Sequence, residues 1–264
     1  MPPDAPRRTP IDFNAHIPPL TPTPEFLTHC TDYGLVFEDD DLERLGQYLA
    51  LLLEANKQFN LTAITDPADA WLRHIFDSLT LLGPLSEVPE SARIADIGSG
   101  GGLPGIPLAI CRPDLRFTLI ESTGKKAEFL RAVSDLIGLN NVSVLDARAE
   151  DAAHDRRDHR EQYDAVVARA VGKLSVIAEL TIPFAKAPDE SSAGGLTLLI
   201  KGQKADDELS EAKQALYLLH ARHEATIDTP TGRIVVLLKT RPTPRIYPRK
   251  PGEPKRRPLG GSGR

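Results

Sequence analysis

Residues 94–110 read IADIGSGGGLPGIPLAI, with Gly98, Gly100, Gly101 and Gly102 set between two apolar runs. Glycine is the residue that reaches left-handed backbone conformations without strain and lets another group approach the main chain closely. Four of them in five positions are more than packing requires, so the stretch predicts a tight strand-to-helix turn with a ligand lying against it. In a parallel α/β sheet such a turn lies at the carboxyl end of a strand, where ligands bind.

The rest of the chain supplies that sheet. ARIADIG, RFTLIE, NVSVLDA, YDAVVARA and GLTLLIKG are short apolar runs that predict strands. Between them LPGIPLAIC, GKKAEFLRAVSDLIG and residues 173–186 predict helices, as do residues 206–220. RHEATI and RIVVLLK, joined by DTPTG, predict an antiparallel hairpin at the end. Ahead of the sheet, Leu42, Leu45, Leu49, Leu52 and Leu53 recur at helical spacing behind the acidic start EDDD. A second helix is predicted over 67–82, with Pro67 at its first position. Alternating strands and helices give an α/β fold with a mainly parallel, Rossmann-like sheet behind a helical N-terminal cap.

The expected organisation is a disordered extension over 1–24, a helical cap over 25–85, the α/β domain over 86–240 and a flexible basic tail over 241–264. The extension holds eight prolines and no periodicity. With 41% hydrophobic residues the chain can bury a sizeable core, and no run reaches the roughly 18 apolar residues of a membrane span. There is no apolar signal-peptide core, and Cys30 and Cys111 make no disulfide framework, so a cytoplasmic location is expected. Residues 241–264 carry eight Lys/Arg against Glu253, a net +7; against −5 for the whole chain, the remainder holds −12. An acidic body with a basic tail points to a polyanionic partner met at one place, against the competing reading of a merely solubilising tail.

Three ligands compete for the glycines. A triphosphate loop needs Lys and Ser/Thr after its last glycine, but Ile106 and Pro107 follow Gly105. A dinucleotide loop is satisfied formally by Gly100, Gly102 and Gly105, with Glu121 about twenty residues on for a ribose. The third is S-adenosylmethionine, whose loop reads acid-x-Gly-x-Gly, as in Asp96-Ile97-Gly98-Ser99-Gly100. That ligand carries an ammonium and a sulfonium, which the Asp96 carboxylate complements, and Glu121 takes its ribose hydroxyls. The terminal hairpin tips the balance to S-adenosylmethionine, because an antiparallel strand ending a parallel sheet characterises class I methyltransferases more than dehydrogenases.

Absent motifs narrow the acceptor. ARAVGKL follows the fourth strand in place of an (Asn/Asp)-Pro-Pro-aromatic turn for exocyclic amines, and neither cysteine is placed as a pyrimidine nucleophile. His220 and His223 have no carboxylate–histidine pattern around them, so no metal is expected. NLTAITDPADAWLRHIFDSL, DIGSGGGLPGIPLAI, ESTGKKAEFLRAV, RAE, VVARAVGKL and LLIKGQ occur in an order that resembles the bacterial 16S rRNA guanine-N7 methyltransferase family, the glucose-inhibited division protein B family. The resemblance covers about residues 39–239, and the tail YPRKPGEPKRRPL is similar too.

The resemblance implies transfer of a methyl group to N7 of a guanosine in 16S rRNA; naked rRNA and the assembled small ribosomal subunit stay open as the substrate, and a monomer is expected. It implies cofactor contacts at Gly98, Leu103, Ala149, Glu150 and Arg169, to which the chemistry of the loop adds Asp96, Gly100 and Glu121. Arg169 and Lys201, at strand ends, are the candidate catalytic groups. His74, Arg148, Lys201, Arg245, Arg249 and Lys250 are the candidate RNA contacts. His74 and Asp77 share a helix face and either line the target pocket or form a buried pair holding the cap to the sheet. Two other functions stay open at this point: a NAD-dependent oxidoreductase on the same sheet, and a non-catalytic RNA-binding or ribosome-assembly factor.

Overall fold

The computed structural model describes residues 13, 17–169, 172–190 and 193–260. Its centre is a seven-stranded sheet in the order β3-β2-β1-β4-β5-β7-β6. The strands are β1 (Arg93–Ile97), β2 (Arg116–Glu121), β3 (Val142–Asp146), β4 (Ala165–Arg169), β5 (Leu196–Lys201), β6 (Ala221–Thr229) and β7 (Gly232–Lys239). The first five run parallel, and β7 joins β5 antiparallel with β6 outside it. The order reverses between β1 and β4, the switch point where doubly wound sheets open a crevice. The predicted strands and terminal hairpin are all present, the hairpin turn being only residues 230–231.

The helices are α1 (Pro24–Tyr33), α2 (Asp41–Asn56), α3 (Pro67–Ala70), α4 (Asp77–Leu79), α5 (Gly105–Cys111), α6 (Gly124–Leu136), α7 (Ala149–Ala152), α8 (Leu174–Thr181), α9 (Ala205–Leu219) and α10 (Glu253–Arg256). Local chemistry sets their ends. Thr23 Oγ1 accepts from Phe26 N (3.2 Å) at the start of α1, and Gly34, at φ 77°, closes it. Asp206, Asp207 and Glu208 occupy the first turn of α9, where the helix dipole favours negative charge. The helix predicted over 67–82 is continuous but mixed: a π-helical turn, Trp71–Phe76, separates α3 from α4, and a 3₁₀ turn, Thr80–Leu82, ends it. Among the described residues no helix is long and apolar enough to cross a membrane.

One continuous core joins the N-terminal helices to the sheet. Phe26, Tyr48, Leu49, Leu52, Trp71 and Phe76 are fully buried with Ile94, Phe117, Leu119 and Leu198. On the other face Leu174, Ala178, Leu199, Leu216 and Val235 form a second cluster, which Tyr247 and Leu259 complete.

Both chain ends depart from the sequence expectation. The segment 17–23 is docked, not disordered: Gln47 Nε2 donates to Ile17 O (2.9 Å), and Leu20 N donates to Gly46 O (3.1 Å). Most of residues 1–16 lie outside the described residues. The tail is a strap. Arg160, 5% exposed, donates to the carbonyls of Thr243, Pro244 and Tyr247. Glu179, wholly buried, takes Arg249 in a two-armed ion pair (2.8 and 2.6 Å), and Glu150 Oε1 accepts from Gly252 N (2.8 Å). Proline and charge hide this pattern in the sequence because every anchor lies in another part of the chain; residues 261–264 are outside the described residues.

Candidate active site

The glycines divide by task. Gly98 and Gly100 sit at φ 73° and 58°, a region L side chains rarely adopt, and a Cβ on Gly98 would meet nothing within 4 Å. Gly98 therefore opens on free space. Gly101 and Gly105 are close-approach glycines: a Cβ would lie 2.7 Å from Leu52 Cδ1 in the first case and 2.3 Å from Leu119 Cδ2 in the second. Tyr48, fully buried on α2, donates its hydroxyl proton to Gly101 O (2.8 Å), so the N-terminal helices brace the loop from behind. Nothing in the sequence pattern marked Tyr48 beyond its place on the apolar face of a helix.

Gly98 borders a cavity of 650 Å³, within the range of about 300–1,000 Å³ typical of small-molecule sites. Ile97, Ile120 and Ser122 line one side; Arg148, Ala149 and Glu150 another; Arg169, Gly172 and Val176 a third. The strap supplies the last wall with Gly252, Pro254, Lys255 and Pro258. Of the expected cofactor contacts, Gly98, Ala149, Glu150 and Arg169 line this cavity. Gly100, Leu103, Asp96 and Glu121 do not.

Asp96 lies beneath the loop and does not line the cavity, where its carboxylate was expected to complement the ammonium and sulfonium of the cofactor. It is wholly buried, with Oδ2 accepting from Gly105 N (3.1 Å) and Oδ1 lacking a hydrogen-bond partner. Glu121 accepts from Gly100 N (3.0 Å) and Thr123 N (2.7 Å), one bond on each carboxylate oxygen. Each oxygen has a second lone pair for a hydroxyl. Burial raises the Asp96 carboxyl to about 7. The unfolded chain releases this proton near pH 4, so between pH 4 and 7 the folded state holds the extra proton and stability falls as pH rises. Above about pH 7 the loss levels off. Burial of His74 lowers its pKa from 6.5 to about 4 and contributes the opposite slope over part of this range. The test is therefore a difference: relative to the unaltered protein, Asp96→Asn should lose the falling contribution, its melting temperature changing more positively with pH from 5 to 7 in thermal unfolding measured at each pH. An unchanged slope would place the titration elsewhere.

A second cavity, of 380 Å³, adjoins the first and is lined by Arg73, Asp77, Arg169, Ile200, Lys201, Gly202 and Thr231. Arg169 belongs to both walls. It stands at the carboxyl end of β4, at the switch point, and is gripped from two sides. Asp77 Oδ2 lies 3.4 Å from its Nε, and His74 Nδ1 lies 2.9 Å from its Nη1. Asp77 Oδ1 accepts from Thr231 Oγ1 (2.7 Å) in the hairpin turn, and His74 Nε2 lies 2.7 Å from Thr62 Oγ1. The sequence reading missed Thr62, in a loop, and Thr231, in the hairpin turn, places where threonine is unremarkable.

His74 is 3% exposed, so it does not present itself to RNA as expected; burial, then the Arg169 charge, lowers its pKa to about 4. Burial raises the Asp77 carboxyl, opposed by the Thr231 hydrogen bond. Lys201 lines the smaller cavity with its ammonium on Gly172 O (2.6 Å) and Glu208 Oε2 (2.7 Å). Arg148 is exposed at the rim of the larger cavity, before α7. Arg245 and Lys250 are exposed on the strap, whereas Arg249 anchors it to Glu179 and is not available as an RNA contact. No group of three or more His, Cys, Asp or Glu that could hold a metal ion occurs among the described residues.

The chain matches the family described as rRNA small subunit methyltransferase G over residues 41–233. It is 48% identical over 248 residues to the ribosomal RNA small subunit methyltransferase G of Sorangium cellulosum, covering 94% of this chain and 99% of that protein. A protein of the same name from Pelotomaculum thermopropionicum is 42% identical over 234 residues, covering 86% and 95%. Among solved structures, a SAM dependent methyltransferase from Aquifex aeolicus superposes with a TM-score of 0.51 at 14% identity, covering 71% of this chain and 98% of that one. That likeness agrees on the fold.

Proposed function

We propose, for a chain that belongs to the rRNA small subunit methyltransferase G family, that it transfers the methyl group of S-adenosylmethionine to N7 of a guanosine in 16S rRNA. The observation that carries the reading is the pair of adjoining cavities sharing Arg169 beside a glycine loop: one sized for the donor, one for a nucleobase. The oxidoreductase alternative is set aside by the family.

The larger cavity fits the cofactor. Gly98 offers an open cradle and Ala149 and Glu150 line another wall, while Glu121, outside the lining, braces the loop through Gly100 N. When bound there the cofactor supplies an electrophilic methyl group on sulfur. Guanine N7 brings a lone pair and no proton, so the chain needs no general base. Its work is placement: holding the reacting atoms about 3–3.5 Å apart and in line removes a large part of the barrier. The product purine gains positive charge, so a cation aimed at N7 would oppose the reaction. Arg169 and Lys201 serve better on O6, on a carboxylate or on phosphate. Both are pinned by acidic partners that temper their charge.

Outside the cavities, Arg245, Lys250, Arg256 and Arg257 are exposed along the strap and offer phosphate contacts, and Lys255 is exposed at the edge of the larger cavity. Reversing the charge of Lys250, Arg256 and Arg257 together should weaken RNA binding and reduce the slope of log K against log salt by about 0.7–0.9 for each phosphate no longer neutralised. Filter binding across a salt series reads it, and an unchanged slope would remove the strap from the RNA surface.

The test of function uses methyl-labelled S-adenosylmethionine with unmodified small subunits and, separately, with deproteinised 16S rRNA. The RNA is digested and its nucleosides identified by mass spectrometry. Labelled 7-methylguanosine is expected. Label on another nucleoside would overturn the N7 assignment, and cofactor binding without any transfer would favour a non-catalytic RNA-binding factor.

A further inference from the structure

Arg169 is held by two partners of different character. Asp77 supplies negative charge. His74 supplies none: its Nδ1 faces Nη1 of a guanidinium, which has only protons to offer, so Nδ1 must present its lone pair. The imidazole proton then sits on Nε2 and is donated to Thr62 Oγ1, which also accepts from Ile64 N (3.0 Å). The charged groups around the ring are Arg169 from β4 and Arg73 from its own helix, both cationic, with Asp77 paired to Arg169 at Nε; burial first, then the two cations, keep the ring neutral. Arg73 O lies 3.1 Å from the same Nδ1 and would be the partner of the opposite tautomer.

We propose that His74 is a positioning residue whose Nδ1 lone pair fixes the Arg169 guanidinium at the partition between the two cavities, set there by the π-helical turn Trp71–Phe76. Such turns recur inside helices at functional sites. A second carboxylate at this place would neutralise the guanidinium and pull it from the cavities, and an imidazolium would expel it. A neutral acceptor orients the fork and leaves its charge in place. The inference rests on the methyltransferase reading above.

Two measurements on the full chain test it. In spectra of histidine-labelled protein between pH 6 and 8, the His74 signals, assigned by their loss in His74→Asn, should show an unprotonated Nδ1 and a protonated Nε2. A protonated Nδ1 would overturn the proposal. In methylation assays, His74→Leu should lower kcat/KM about 100-fold, the scale of an ångström of misplacement. His74→Asn, whose side-chain oxygen stands near the place of Nδ1, should recover most of that loss. Equal losses in both variants, or none in His74→Leu, would overturn it. Thr62→Val, which removes only the partner of Nε2, covers the case in which His74→Leu fails to fold; it should impair kcat/KM, and full activity would count against the clamp. If the unaltered protein methylates no RNA, the function reading fails, while the tautomer still decides the clamp.

Discussion

Arg169→Met is expected to slow methyl transfer about 100-fold or more, the scale on which misplacement of the reacting groups by about an ångström lowers a rate. The residue lines both cavities, so its removal takes a wall group from each ligand. Arg169→Lys should recover little, because an ammonium cannot hold Asp77, His74 and a ligand with one planar fork. The fold should persist, since the side chain is 27% exposed and the apolar core does not include it. Initial rates at saturating cofactor, together with calorimetric titration of S-adenosylmethionine, separate loss of chemistry from loss of binding. A rate within tenfold of the unaltered protein would remove Arg169 from the reacting assembly.

The second large effect concerns stability. Arg249→Met leaves the wholly buried Glu179 carboxylate without its cation, and breaking one side of a buried pair destabilises by about 3–5 kcal/mol. Lys250→Met, at the neighbouring exposed position, should stay within about 0.5 kcal/mol. Replacing both members, Glu179→Leu with Arg249→Met, should recover most of the loss, because an apolar pair needs no compensation. Urea unfolding of the four proteins decides it. If Arg249→Met matched Lys250→Met, the strap would not be anchored through Glu179.

Those two arginines show where sequence reading succeeds and where it ends. The sheet was legible because apolar runs such as VVAR and LTLLIK carry their own period, and the hairpin because two such runs flank a turn. Arg169 was legible through its place after β4, by resemblance. Its partners were not: His74 lies 95 residues away, and no local pattern couples the two. Arg249 and Lys250 are adjacent basic residues in a proline-rich stretch, identical to any reading of charge. Only the packing of α8, which leaves Glu179 buried and facing the strap, tells them apart. Asp96 failed for the related reason that an acid beside a glycine loop has two places to go, and the amide of Gly105 claimed it.

The contact between Thr231 and Asp77 joins residues 154 apart in the chain. Closing a span of that length carries a loop-entropy cost that contacts between near neighbours do not. A molecule with β1 to β4 paired already has its glycine loop, but the base-sized cavity still lacks Lys201 on β5 and Thr231 in the hairpin. Such a species lacks part of both sites, because the strap wall of the larger cavity is missing as well. Completing the fold and acquiring the two sites are then a single event.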